Sequence, residues 1–353
     1  TWLALLVLII TGLFGLENSL DSVLSGTVGK MVTLIDSVNS EIPNQQKSYI
    51  AAQNGSNVYL TIDVNIQSIV EKYLSQAVVD NIADYGTAIV MEPSTGNILA
   101  MANYPDYDLN TPFTPTNQTA LASWSTMSSE EKTNYLYDMW RNKAVQNTYE
   151  PGSVFKIITA SIGLEEGIVD ENTPDTFYCA GSELVDNIAI NCWRHTNPHL
   201  GQSLKQALAN SCNPSFIQLG LKIGAPTLFK YYNAYGLLST TNSDFYGEQN
   251  SIFYNPKSIR KFELATMSFG QGINITPLQL VTAVSAIANE GVLMKPRIVD
   301  KIVDTNTGSV TTPDPVRVRQ VVSKKTANEV MDMLDYAVSS GTGKYADVKG
   351  YSI

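Results

Sequence analysis

A chain of 353 residues, 44% hydrophobic and 16% charged, has ample material for a sizeable core and for two domains. A net charge of −10 and a pI near 4.7 argue against a nucleic-acid partner, which calls for clustered Lys and Arg. No internal repeat or low-complexity tract is present, which excludes solenoid architectures.

The chain opens on an unbroken apolar run from Trp2 to Ile10 that continues through Leu13, Phe14 and Leu16. This falls short of the roughly 20 residues that span a bilayer, so residues 1–16 are expected to be part of a membrane anchor. With no initiating Met and no basic flank, a signal peptide is not indicated; the competing reading is a buried apolar segment of a soluble domain. Next, Ile66, Ile69, Val70, Tyr73, Leu74 and Ala77 keep helical spacing, with Asp63 placed to cap the helix. Thr87–Val90 and Ile98–Met101 flank Pro93-Ser94-Thr95-Gly96, a strand–turn–strand signal. Residues 103–140 carry Pro105, Pro112, Pro115 and polar runs, and read as a long surface connection.

Tyr149-Glu150-Pro151-Gly152 leads into Ser153-Val154-Phe155-Lys156. A serine and a lysine three apart on a helix share a face, close enough to exchange a proton. A lysine amine that is neutral can take the hydroxyl proton as the oxygen attacks a carbonyl. The spacing alone is common by chance, and an ordinary snorkelling lysine competes with it. However, the helix that follows (Ile157, Ile158, Ala160, Ile162, Leu164) is apolar nearly all round, so it belongs in the interior, where desolvation suits a lysine to act as a base. A second polar group, Ser211-Cys212-Asn213, follows the amphipathic Leu204–Ala209. Pro214 after it suggests a turn that projects a hydroxyl and an amide able to relay a proton and hold a substrate amide.

All three cysteines and both histidines fall between Cys179 and Cys212. Cys179, Cys192, His195 and His199 have spacings that zinc can use, and a four-ligand shell would make the ion structural, bracing the loop beside Ser211. Cys212, Asp175 or Asp186 can replace one histidine in that set. A Cys179–Cys192 disulfide with Cys212 buried, or three free thiols, are the alternatives. Further on, Leu278–Ala288 and Ala327–Leu334 read as helices. Strands bracketing a helix-rich middle give an α+β fold, an antiparallel sheet with helices packed on it.

Together these residues resemble the penicillin-binding proteins, specifically the monofunctional class B transpeptidases. Leu60-Thr61-Ile62-Asp63 is similar to the entry to their transpeptidase domain, and Gly86–Met101 to its first hairpin. Asn142-Lys143-Ala144-Val145 and Tyr149–Ser153 resemble the approach to the nucleophile. Phe269-Gly270-Gln271-Gly272-Ile273, Thr276-Pro277-Leu278-Gln279-Leu280 and Ala288-Asn289-Glu290-Gly291 match a further signature. The ordered match covers residues 57–353, which is more specific than any single motif. Residues 17–56, with Gly15-Leu16-Glu17 and Leu24–Lys30, resemble a remnant of the family's non-catalytic pedestal.

The resemblance implies the penicillin-binding-protein/serine β-lactamase-like fold and a peptidoglycan D,D-transpeptidase. Ser153 would be the acylated nucleophile, Lys156 its base, and Ser211 and Asn213 the second motif, with no cofactor required for the chemistry. Gly270-Gln271-Gly272 would support structure more than chemistry. Stem peptides and β-lactams would be its ligands, and a membrane glycosyltransferase its partner. The protein would sit in the bacterial cell membrane by a single pass, with its catalytic domain outside. A serine β-lactamase, a β-lactam sensor and a non-catalytic scaffold of a wall-synthesis complex are the alternatives. The family's Lys-Thr-Gly strand is absent. Because Val348–Ile353 resembles the run-in to it, the sequence is expected to stop just before that motif. One lost oxyanion donor costs on the order of a hundredfold in rate, so this polypeptide is expected to be a poor catalyst.

Overall fold

The computed structural model describes residues 12, 14–32 and 48–351. Nearly all of the apolar run expected to belong to a membrane anchor, and the middle of the 17–56 region, lie outside the described residues. Among the described residues no helix is long and apolar enough to cross a membrane.

Strand β1 (Asn57–Leu60) pairs antiparallel with a strand contributed from near the other end of the chain, Val58 opposite Ile302 and Tyr59 opposite Lys301. Helix α1 (Val64–Asp80) begins where expected, the Asp63 carboxylate accepting from the N–H groups of Asn65 and Ile66. Gln67 on this helix clamps both backbone groups of Met101, donating to its carbonyl at 3.0 Å and accepting from its N–H at 2.9 Å. That clamp fastens α1 to the hairpin β2 (Gly86–Met91) and β3 (Ile98–Tyr104), which turns at Pro93–Gly96 as the sequence indicates. Along β3 the buried residues are Ile98, Ala100 and Ala102, the period of two of a strand with one face in the core.

Residues 103–140 are not a bare connection. They contain α2 (Gln118–Ser123), capped by Asn117, and α3 (Ser129–Trp140), started by a reciprocal Ser128–Glu131 capping box. The three prolines that suggest a loop all precede α2.

Helix α4 (Lys156–Glu165) is buried on nearly every side: Lys156, Ile158, Thr159, Ala160, Ser161, Ile162 and Gly163 are all inside. Its polar residues are satisfied, Thr159 donating to the Ser268 carbonyl at 2.8 Å and Ser161 sharing a 2.7 Å bond with the Tyr235 hydroxyl. Around it stand Phe155, Phe216, Ile217, Leu219, Tyr232 and Leu264, the centre of the largest core. Each such side chain contributes roughly 1.5–3 kcal/mol by its burial.

Two strand pairs follow from the middle of the chain. β4 (Phe177–Cys179) pairs with β7 (Leu200–Gln202), and between them β5 (Ser182–Val185) and β6 (Ile188–Asn191) form a hairpin. Helices α5 (Leu204–Ala209) and α6 (Asn213–Ile223) come next, then α7 (Lys261–Met267) and α8 (Pro277–Ala288). β8 (Val299–Val303) is the partner of β1, and α9 (Lys324–Ser340) buries Thr326, Ala327, Val330 and Met333 along one face. All the paired strands run antiparallel, in small sheets of two or three strands, with α8 packed on β2 and α9 on α4 and α5. The expected α+β class therefore holds.

Candidate active site

The segment leading to Ser153 is pinned to the loop before α8. Tyr149 and Ile275 exchange backbone hydrogen bonds of 3.0 and 3.1 Å, and the Glu150 carboxylate accepts from the Gly272 N–H at 2.8 Å. Gly152 then donates its N–H to the Gly270 carbonyl at 2.9 Å. At Gly270, φ is +84° and a β-carbon would lie 2.1 Å from the Gly152 carbonyl oxygen. Only glycine fits, because the close approach and the left-handed backbone exclude any side chain.

Gly152–Phe155 form one turn of 3₁₀ helix, and Lys156 opens α4. With three residues per turn, side chains at i and i+3 eclipse, so Ser153 stands directly over Lys156. Ser153 is exposed, whereas Lys156 is 0% exposed. Lys156 Nζ lies 3.1 Å from Ser153 Oγ, 3.0 Å from Ser211 Oγ, 2.8 Å from the Ser211 carbonyl and 2.7 Å from Asn213 Oδ1. The Phe216 ring lies 5.7 Å away on another side. All four oxygens are neutral, so burial wins and draws the amine down to about 8, only partly countered by Cys212 and Cys192. Four oxygens also exceed the three hydrogens of an ammonium. A neutral amine, with two hydrogens and a lone pair facing a hydroxyl, fits the seat at least as well.

The second group comes from the end of α5. Ser211 donates its N–H to the Leu208 carbonyl and Cys212 to the Ala207 carbonyl, the paired bonds of a Schellman motif. That motif puts Ser211 in the left-handed region, φ +49°, where glycine is the usual occupant. A serine there stores strain that its surroundings must hold, and it is there that the hydroxyl and carbonyl meet Lys156. Ser211→Gly is therefore expected to be about 1 kcal/mol more stable than Ser211→Ala, read from urea midpoints. Equal midpoints would show that no strain resides at this position. Asn213 and Pro214 open α6 rather than forming the expected free turn, and this first helical turn aims Asn213 Oδ1 at the amine. From the far side, Thr342 donates its N–H to the Ala209 carbonyl at 2.9 Å, so the end of α9 braces the same turn.

All three cysteines are buried and free, and with His199 they form one cluster whose ligand atoms lie within 4.8 Å of one another. The expected set of Cys179, Cys192, His195 and His199 is corrected at one position: Cys212 belongs to it and His195 does not. The register of β4 against β7, Cys179 opposite Leu200, carries the neighbouring His199 to Cys179, while His195 is exposed in the preceding turn. Asp186 sits at the tip of the β5–β6 hairpin and Asp175 in the bend before β4, both with positive φ and outside the cluster. No disulfide joins Cys179 to Cys192. Burial pushes the Cys212 thiol up to about 12, and burial, then the charges of Arg194 and Lys156, holds the His199 imidazole below its ordinary value.

Residues 86–353 match the family model described as the penicillin binding protein transpeptidase domain. The chain belongs to that family, and its relatives place it among the class B proteins. It is 34% identical to stage V sporulation protein D of Bacillus subtilis over 97% of this chain and 50% of the relative. To the peptidoglycan D,D-transpeptidase FtsI of Escherichia coli it is 28% identical, over 97% of this chain and 52% of the relative. The chain thus spans about half the length of the curated relatives it matches. Among solved structures, penicillin binding protein 3 of Mycobacterium tuberculosis complexed with aztreonam aligns with a TM-score of 0.75 at 28% identity, covering 96% of this chain and 68% of that one. A peptidoglycan synthetase from Bifidobacterium adolescentis aligns with a TM-score of 0.80 at 25% identity, covering 97% and 58%.

Proposed function

We propose that the protein is a peptidoglycan D,D-transpeptidase working through an acyl-enzyme on Ser153. The observation that carries this reading is the 3.1 Å contact between an exposed serine hydroxyl and a buried amine drawn down to about 8 among neutral oxygens. Ser153 Oγ attacks the carbonyl between two terminal D-alanines of a stem peptide while Lys156 Nζ takes its proton. The Ser153 N–H, in the first helical turn where no intrahelical acceptor exists, is one donor to the oxyanion. D-Alanine departs with a proton passed through Ser211 Oγ, 3.0 Å from the amine, and Asn213 holds the peptide amide. An amine from a neighbouring stem then attacks the ester and forms the crosslink, regenerating the serine. A β-lactam presents a strained amide beside a carboxylate and acylates the same oxygen.

The reading extends to a single-pass protein of the bacterial cell membrane with this domain outside, working beside a glycosyltransferase. It also extends to a structural zinc ion next to the active site, with Cys212 in place of His195.

A fluorescent penicillin tests the activity. The expected result is a long-lived adduct, seen as an intact-mass gain on Ser153 and lost in Ser153→Ala. Rapid turnover of the drug would make the protein a β-lactamase, and no adduct even on a chain that includes the Lys-Thr-Gly strand would make it a scaffold. Because the reactive base is the neutral amine, acylation is expected to rise with pH through about 8 and level off above it. A rate that is flat from pH 6 to about 9 would remove Lys156 from the base role.

A further inference from the structure

Three consecutive carbonyls, those of Ala209, Asn210 and Ser211, are each taken by a donor from a different part of the chain. We propose that Trp193 and Thr342, which hold the first two, are positioning residues that keep Ser211 and Asn213 on the Lys156 amine. This rests on the active-site reading above and assigns two further residues to the same site.

The turn needs such donors. Helix α5 ends at Ala209, so the carbonyls of Ala209 and Asn210 have no donor within the helix. Trp193, in the loop between β6 and β7, gives its Nε1–H to the Asn210 carbonyl at 2.9 Å. Thr342, just past α9, gives both its N–H at 2.9 Å and its Oγ1–H at 3.1 Å to the Ala209 carbonyl. Lys156 Nζ donates to the Ser211 carbonyl at 2.8 Å, so the reactive amine is the third donor in the row.

The clamp is close and well anchored. At Gly341 a β-carbon would lie 2.4 Å from the Ala209 carbonyl oxygen, so a side chain there would push the end of α9 off the turn. The other end of α9 is tied to the nucleophile helix. There the Glu165 carboxylate, at the end of α4, accepts from the Ser323 N–H at 3.0 Å, Ser323 Oγ at 2.8 Å and Thr326 Oγ1 at 2.5 Å. Helix α9 is thus a strut from the far end of the helix that carries Lys156 to the turn that carries Ser211. A third tie is buried: Gln202 accepts from Asn210 Nδ2 at 2.8 Å and donates to Ser215 Oγ at 3.1 Å, joining α5 to α6 across the turn.

What the clamp does for the chemistry follows from the backbone of Ser211. Its φ of +49° is strained for a serine and persists only where the surroundings over-determine it. Ser211 Oγ and Asn213 Oδ1 stand 3.0 and 2.7 Å from the amine, so a shift of about 1 Å in the turn breaks both contacts. Trp193 and Thr342 act through Ser211 and Asn213, by way of the backbone between them. Trp193 is 59% exposed and Thr342 is exposed too, so either can be changed without opening the core.

The test uses a chain that includes the Lys-Thr-Gly strand. Trp193→Phe and Thr342→Val each remove one donor and keep the bulk of the side chain. Each is expected to slow fluorescent-penicillin acylation of Ser153 about three- to tenfold, the worth of one such hydrogen bond, and the two together roughly thirtyfold. Thr342→Ser keeps the hydroxyl and should stay within about twofold of the parent. In a Ser211→Ala background each loss should shrink to about twofold, the remainder acting through Asn213. Hydrogen exchange at residues 207–213 should quicken in Trp193→Phe and Thr342→Val and stay parent-like in α4.

Parent-like acylation and exchange in both donor-deleting variants would overturn the proposal. Rate losses just as large in the Ser211→Ala background would do so too, as would a Thr342→Ser protein as slow as Thr342→Val. A parent chain that takes up no penicillin would instead count against the transpeptidase reading. Exchange at residues 207–213 would then decide by itself whether Trp193 and Thr342 hold the turn.

Discussion

Lys156→Ala is expected to slow acylation of Ser153 by about a hundred- to ten-thousand-fold, the range that a positioned proton acceptor contributes. The amine is the group the structure sets at hydrogen-bond distance from that hydroxyl, and it contacts both members of the second motif as well. Its removal should also abolish the rise of the rate through pH 8, because no group drawn down to that range would remain beside the serine. Time courses of fluorescent penicillin labelling across pH, followed by intact mass, measure both effects. A variant that kept a rate within tenfold of the parent and the same pH rise would show that another group takes the proton.

The second large effect is expected at a residue that touches no substrate. In Gly270→Ala the new methyl would sit 2.1 Å from the Gly152 carbonyl oxygen and 2.7 Å from Phe155 Cβ, both parts of the nucleophile turn. Neither neighbour is the free end of a flexible side chain, so the turn itself must yield by about an ångström. A shift of that size at a reacting group is worth about a hundredfold in rate. The left-handed backbone adds roughly 1–2 kcal/mol of strain, so the urea midpoint should fall together with the rate. Parent-like acylation in a stably folded Gly270→Ala protein would show that the nucleophile turn does not depend on its contact with this loop.

Much of this architecture is legible in the sequence, because short-range rules carry it. Asp63 as a cap, the alternation in Ile98–Met101, the turn at Pro93–Gly96 and the apolar helix after Lys156 each depend on neighbours a few residues away. The gathering of Ser153, Lys156, Ser211 and Asn213 was legible only through family resemblance, since spacing cannot show that positions 55 and 57 residues apart meet at one nitrogen.

The failures have physical sources too. In residues 103–140 the prolines draw the eye, yet Asn117 and the Ser128-to-Glu131 box are start signals of two helices lying beyond them. Spacing in the sequence leaves open whether Cys212 takes the place of one histidine in the cluster. What decides it is strand register, Cys179 opposite Leu200, together with the Schellman turn that carries Cys212 inward. Both are long-range or conformational facts that residue spacing does not encode.

The crowded seat of the lysine has one more consequence. If antibiotic and wall peptide are processed by the same few atoms, selection by the drug has almost no freedom at Ser153, Lys156, Ser211 or Asn213, where any loss for one is a loss for the other. Resistance would have to arise on the rim, at exposed neighbours of the nucleophile such as Val154 and Tyr149, 46% and 38% exposed, where a change can alter which molecules enter while leaving the proton's route intact.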